Sequence, residues 1–131
     1  MTVSVTSAFN AARLAGALAF LDDGTAVARI RIYGGTRPAS AAAEPTSAML
    51  AEIALTKPAG TLAAGTLTLT QAEDGMVVNT GIATWARVVN GAAATAFDLD
   101  CSLPGAGGEV ELAQTQLYLG GAARLVSCVL G

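Results

Sequence analysis

Histidine is absent from the sequence, which removes the commonest general base and metal ligand of proteins. Charge is scarce as well: only 13% of the 131 residues are charged, about half the share in an average soluble domain. The formal net charge is −3, and no run of Lys or Arg could engage phosphates, so we expect no nucleic-acid partner. A surface with so little charge predicts that protein partners cover part of it.

Long apolar runs are also missing. The longest, at 11–21, contains Arg13, is too short to span a bilayer and is followed directly by Asp22 and Asp23. The first twelve residues carry no Lys or Arg, which argues against a signal peptide. We therefore expect no membrane segment, and a protein that is soluble and cytosolic at synthesis.

Cysteine occurs twice, at Cys101 and Cys128, and neither residue belongs to a CxxC motif. Without histidine the two thiols cannot complete a zinc site. Two interpretations stay open: buried free thiols that act as small hydrophobic side chains, or a disulfide between neighbouring strands. Neither interpretation predicts redox chemistry.

Small apolar residues are abundant: 53% of the sequence is hydrophobic, and 29 residues are alanine. The core must therefore be built from small side chains, with Leu and Val as its larger pieces. Residues 7–22 predict a helix, because leucines recur at helical spacing after Ser7, a suitable N-cap. Gly24 ends this helix, since glycine readily adopts the left-handed backbone that follows a helix C terminus.

After Gly24 the hydrophobic period changes to two, the period of a half-buried strand. The Lys-Pro-Ala-Gly segment at 57–60 predicts a turn, and Asn-Gly at 90–91 predicts a hairpin. The predicted strands are 25–33, 49–56, 66–70, 76–78, 82–89, 96–101, 109–113, 116–119 and 124–130.

Such a series of short strands after a single helix predicts a mainly β fold. We expect an antiparallel β-sandwich or jelly roll with a short N-terminal α-helix. One β domain should span 1–131, with an N-terminal arm and helix at 1–24 and the β-sandwich at 25–131.

Carboxylates are the first candidates for chemistry. Asp98 and Asp100 share one side of a predicted strand, and Glu109 and Glu111 repeat the spacing. They could form a glycosidase-type pair or hold calcium, but the favoured interpretation is a solvent-facing side of a strand. The Gly-rich segment 105–108 lacks the Lys-Ser/Thr ending of a phosphate-binding loop, and no GxSxG motif is present. We therefore predict no enzyme, no cofactor and no metal.

Arginine beside aromatic residues is the second candidate feature. Such pairs are common at protein contacts. Alternatively, the tryptophan packs in the core and the arginines cover its rim. The alternating segment 2–6 of the N-terminal arm predicts a strand that pairs with another subunit. The predicted interface residues are Val3, Val5, Arg29, Arg31, Tyr33, Trp85 and Arg87.

Several segments in order suggest a specific family. A short alanine-rich helix precedes Arg-Ile-Tyr-Gly-Gly-Thr-Arg-Pro at 31–38 and Leu-Ala-Glu-Ile-Ala-Leu at 50–55. Thr-Gly-Ile-Ala-Thr-Trp-Ala-Arg-Val-Val-Asn-Gly at 80–91 and Phe-Asp-Leu-Asp at 97–100 follow. Over nearly its full length the chain resembles small virion proteins of tailed bacteriophages and prophages. Within that group it is most similar to capsid cement, or decoration, proteins.

This resemblance implies a non-enzymatic structural protein on the outer surface of a phage capsid, made in the host bacterial cytoplasm. The expected partner is the major capsid protein, whose neighbouring subunits it would cement together, and a homo-oligomer, with a dimer favoured, is implied. Two alternatives stay open: a tail or head–tail connector component, and a glycan-binding module.

Overall fold

The computed structural model describes residues 6–131, and one helix precedes all of its strands. The helix α1 spans Ser7–Leu21. The strands are β1 (Arg29–Tyr33), β2 (Met49–Ala63), β3 (Thr66–Gln71), β4 (Gly75–Val77), β5 (Gly81–Ile82), β6 (Trp85–Val89), β7 (Thr95–Ser102), β8 (Val110–Leu112), β9 (Gln116–Leu117), β10 (Ala122–Ala123) and β11 (Leu125–Leu130). The predicted mainly β fold with a short N-terminal helix is confirmed. Among these residues no helix has the length and apolarity needed to cross a bilayer.

Seven strands close into a barrel. The sheet order is β1-β6-β7-β8-β11-β3-β2, and β1 pairs with β2 as well as with β6, which completes the ring. Neighbouring strands are antiparallel except β7 and β8. Because one continuous ring encloses the core, the separate sheets expected for a sandwich or jelly roll are not confirmed.

The long strand β2 makes closure of the barrel possible because it pairs with several neighbouring strands. Its first half pairs with β1, and its second half pairs with β3 from Leu55 to Ala63, with a shift in register between Leu55 and Gly60. The turn predicted at 57–60 is therefore wrong: this segment is an irregularity inside one strand. The chain reverses instead at Ala64 and Gly65, both with positive φ, as a tight two-residue hairpin requires.

Each end of the barrel is covered by a different element. The helix α1 covers the end that holds the β2–β3 hairpin, where Asn10 donates a hydrogen bond to the Gly65 carbonyl. Leu14 and Leu21 of the helix are buried in the core. At the opposite end, residues 75–83 pair with residues 115–123. We call this two-segment structure the ribbon; its Val77 and Leu117 point into the core.

The helix starts at Ser7, within the predicted range 7–22, but its N-cap residue differs from the predicted one. Thr6, not Ser7, is the N-cap: its backbone is extended, and its hydroxyl accepts a hydrogen bond from the Phe9 N–H at 3.1 Å. At the other end the helix stops earlier than predicted: Asp22 is the C-cap, and Gly24, two residues further on, has the left-handed φ of +99° that glycine readily adopts.

We predict that Thr6→Ala lowers the free energy of unfolding by about 1 kcal/mol, because an N–H of the first helical turn loses its acceptor. Urea unfolding followed by Trp85 fluorescence measures the change. Ser7→Ala is the matched control and should leave the free energy of unfolding unchanged or raise it by a few tenths of a kcal/mol, because alanine is the better helix former. A larger loss from Ser7→Ala than from Thr6→Ala would contradict the assignment.

Candidate interaction surfaces

The predicted interface residues on β1 and β6 lie on the outer wall of the barrel. Tyr33 pairs with Trp85 across these strands, and their rings stack with centroids 4.5 Å apart and 13° between planes. The indole N–H donates to the Gly34 carbonyl at 3.1 Å. Trp85 is only 1% exposed although it points away from the core cluster, because the loop 34–48 lies over it.

Arg87 lies on the same outer wall of the barrel and is fixed there by several contacts. Its guanidinium makes two hydrogen bonds to Asp98, from Nε at 2.8 Å and from Nη2 at 3.0 Å, and Nη1 donates to the Ala43 carbonyl at 2.7 Å. The guanidinium carbon also lies 5.5 Å from the Trp85 ring centroid, in cation–π contact. The hydrogen bonds to Asp98 raise the pKa of Arg87 above its ordinary value.

Glu52 organises the neighbouring arginines. Its carboxylate accepts a hydrogen bond from Arg31 Nε at 2.8 Å and lies 3.4 Å from Arg29 Nε. Both arginine side chains are about one-third exposed, so these ion pairs contribute modestly to stability. In register, Glu52, Arg31, Arg87 and Asp98 form one charged row across β2, β1, β6 and β7.

This geometry changes the interpretation of the predicted contact residues. Tyr33, Trp85 and Arg87 are buried within the chain and hold the loop 34–48, so their side chains are not accessible to a partner. Arg29 and Arg31 stay about one-third exposed, and their role in a contact remains a prediction. Val3 and Val5 lie outside the described residues.

The candidate carboxylates do not converge. Asp98 is not solvent-facing as predicted: its side chain is 7% exposed and fully engaged by Arg87. Asp100 lies 3.2 Å from Arg37 Nη1, whereas Glu109 and Glu111 accept hydrogen bonds from backbone N–H groups. Within residues 6–131 no group of three His, Cys, Asp or Glu residues could hold a metal ion.

The two cysteines are free, which decides between the two interpretations left open above. Cys101 on β7 and Cys128 on β11 both pair with Val110, which lies on the strand between them. Two strand spacings put their Cα atoms about 9–10 Å apart, beyond the roughly 7 Å that a disulfide can bridge. Burial raises the pKa of each thiol from 9.0 to about 12.

Sequence reasoning missed an apolar groove beside α1. Because β8 spans only three residues, the first half of β7, 95–99, has no strand partner on the side away from β6 within the described chain. Side chains of the helix and of β7 together line the cavities beside this gap. Two adjoining cavities of about 360 and 310 Å³ share Ala17 and Phe97. We call this region the seam groove; its walls include Arg13, Ala17, Phe20, Phe97, Glu109 and Val129.

The ribbon carries a second apolar surface that sequence reasoning also missed. Large hydrophobic side chains on its outer side are between 44% and 70% exposed: Met76, Val78, Ile82, Tyr118 and Leu119. The only sequence signal for this surface is an absence of charge: neither 75–86 nor 112–123 contains a charged residue.

Comparison with family models, curated proteins and solved structures gives no match for this chain. Its geometry and the resemblance in its sequence are therefore the grounds on which a function can be proposed.

We predict that Asp98→Ala lowers the free energy of unfolding by about 3–5 kcal/mol, because it leaves the Arg87 guanidinium buried without its counter-charge. Urea unfolding measures this loss. Asp100→Ala removes an exposed ion pair and should cost under about 1 kcal/mol. Equal losses from the two variants would contradict the view that the buried Arg87–Asp98 pair stabilises the outer wall of the barrel.

We also predict that both thiols resist a disulfide reagent such as DTNB at pH 8 in the folded protein. A pKa of about 12 leaves almost no thiolate at that pH. Titration in guanidinium chloride without reductant should then release two thiols per chain. Fewer than two thiols after unfolding would indicate a disulfide and contradict the structure.

Proposed function

We propose that this chain is a non-enzymatic structural protein of a tailed-bacteriophage particle, bound to the outer surface of the capsid. There it would hold neighbouring subunits of the major capsid protein together. The main support for this proposal is the position of two exposed apolar surfaces. The seam groove and the ribbon lie at opposite ends of one closed barrel. A protein that bridges subunits needs at least two contact surfaces and a stiff body between them.

The seam groove suits an extended segment of a capsid subunit. The unpaired side of β7 offers backbone donors and acceptors to an added strand, which is a common mode of peptide recognition. Ala17, Phe20 and Phe97 offer apolar contact on the same side. The half-exposed Phe9 and Phe20 lie on one face of α1, since eleven residues correspond to just over three full turns.

The scarcity of charge also supports this role. A weakly charged surface loses little on desolvation when it is covered, so many modest contacts can add to firm attachment. Attachment to two subunits at once increases the effective local concentration at the second contact. The family resemblance also implies a sandwich or jelly-roll fold, and this finer fold assignment is part of the proposal.

The test is co-sedimentation of the purified protein with empty shells of the phage that encodes it. We expect saturable binding at many copies per shell, and shells that dissociate at a higher temperature once covered. Phe20→Asp should weaken binding by about tenfold or more, because it places a charge in the seam groove. Leu103→Asp, at an exposed loop position away from that groove, is the matched control and should bind normally.

Other outcomes would overturn the proposal. Absence from purified particles would exclude a virion role, and only a few copies per particle would indicate a tail or head–tail connector. Binding to a bacterial surface glycan, but not to shells, would support the glycan-binding alternative.

A further inference from the structure

Backbone groups of β7 point into the gap beside the seam groove. The Cys101 N–H donates to the Thr84 carbonyl at 3.0 Å, on the side of β6. The Asp100 N–H is turned the other way and donates to Glu109 Oε1 at 3.1 Å. Because successive residues of a strand direct their N–H groups to opposite sides, the N–H and carbonyl of Asp98 face the same open side as the Asp100 N–H. Glu109 takes the place of a neighbouring strand at Asp100, whereas within the described chain no strand does so at Asp98.

These free backbone groups identify the kind of occupant. Unpaired N–H and carbonyl groups along a strand are matched by another extended backbone, as in recognition by strand addition. The open side of β7 lies between two walls, one formed by α1 and the other by the loop that carries Arg37. The β7 of a second copy is recessed in the same way, so two such edges do not meet. A segment that projects from another protein fits this place.

The two walls differ in chemistry. On the side of α1, Ala17, Phe20 and Phe97 make the lining of the seam groove apolar. On the other side, a further cavity of about 470 Å³ lies between β7 and the loop, and Arg37 and Asp98 border it. Since the side chains of a strand alternate between its two sides, an added strand would place every second side chain against the apolar wall. The remaining side chains would lie toward Arg37.

The charges around the groove favour a segment without charge. The cavities on the two sides are lined by two arginines and two carboxylates, so neither sign is in excess. Asp98 is already bound by Arg87. Arg37 lies 3.2 Å from Asp100, and Glu109 accepts a backbone N–H. A charged side chain that entered the groove would therefore lose its hydration without meeting a free counter-charge.

We infer that the seam groove binds an extended, uncharged segment of the capsid subunit, added to the open side of β7, with apolar side chains at every second position. This inference rests on the proposed function for the source of the segment, and it deepens that function by stating which sequence fits. The apolar side chains would enter the cavities beside α1. Small or hydroxyl side chains at the other positions would lie toward Arg37.

Fluorescence anisotropy with a synthetic peptide tests the inference on the protein alone. The probe is a dye-labelled peptide with blocked ends, in which serine and valine alternate over seven positions. We expect saturable binding, and binding about tenfold weaker for a peptide of the same composition whose valines are contiguous. Phe20→Asp should weaken binding of the probe by about tenfold. Leu103→Asp is the matched control and should bind the probe normally.

Backbone methylation distinguishes strand addition from simple apolar contact. A strand added to one edge uses only every second one of its N–H groups. N-methylation of one alternate set should therefore abolish binding of the probe, whereas N-methylation of the other set should be tolerated. Equal effects of the two sets, or no binding of the alternating peptide, would overturn the inference. Resistance of the buried thiols to DTNB verifies that each protein variant is folded.

Co-sedimentation with empty shells separates this inference from the proposed function. We expect an excess of the alternating peptide to displace the protein from shells. Binding to shells without binding to the peptide would overturn the inference and leave the proposed function standing. Binding to the peptide without binding to shells would overturn the proposed function and support the sequence preference of the groove. Self-association of the chain that the peptide reverses would assign the groove to a second copy and overturn the choice of a capsid segment.

Discussion

The pairing of β1 with both β2 and β6 is the constraint on which the rest of this structure depends. An open sheet would leave rows of unpaired backbone N–H and C=O groups, which cost free energy when buried and invite other chains when exposed. Closing the ring satisfies most of these groups and fixes the direction of every side chain. Residues facing inward form the core, and residues facing outward must be solvated or covered by another part of the chain.

The interior of the ring accounts for only part of the alanine, since six of the 29 alanines are buried. Ala28, Ala51 and Ala86 are fully or almost fully buried, in a barrel too narrow for large side chains at every inward position. The bulky Trp85 instead lies on the outer wall, where the loop 34–48 covers it and the Arg87–Asp98 pair anchors the loop. All five residues of β6 are therefore buried, on one side by the core and on the other by this outer layer.

Closure also determines where the chain stays open to partners. The short β8 leaves part of β7 unpaired beside α1, and β10 ends the sheet at the opposite side of the barrel. Both places carry exposed apolar side chains with few or no charges around them. The proposed attachment to a capsid draws on both places, each of which combines an unpaired strand edge with exposed apolar side chains.

The sequence by itself determined the type of the helix and of most of the longer strands, because local periodicity and turn chemistry are readable without the fold. The leucines of 7–22, the alternation in 66–70 and the Asn-Gly at 90–91 predicted a helix, a strand and a hairpin that the structure contains. Only the tertiary structure decided how the strands close, that 57–60 continues a strand, and that Trp85, Arg87 and Asp98 are covered. These outcomes depend on contacts between residues distant in the chain, such as Arg87 with Ala43, and local patterns carry no information about such contacts.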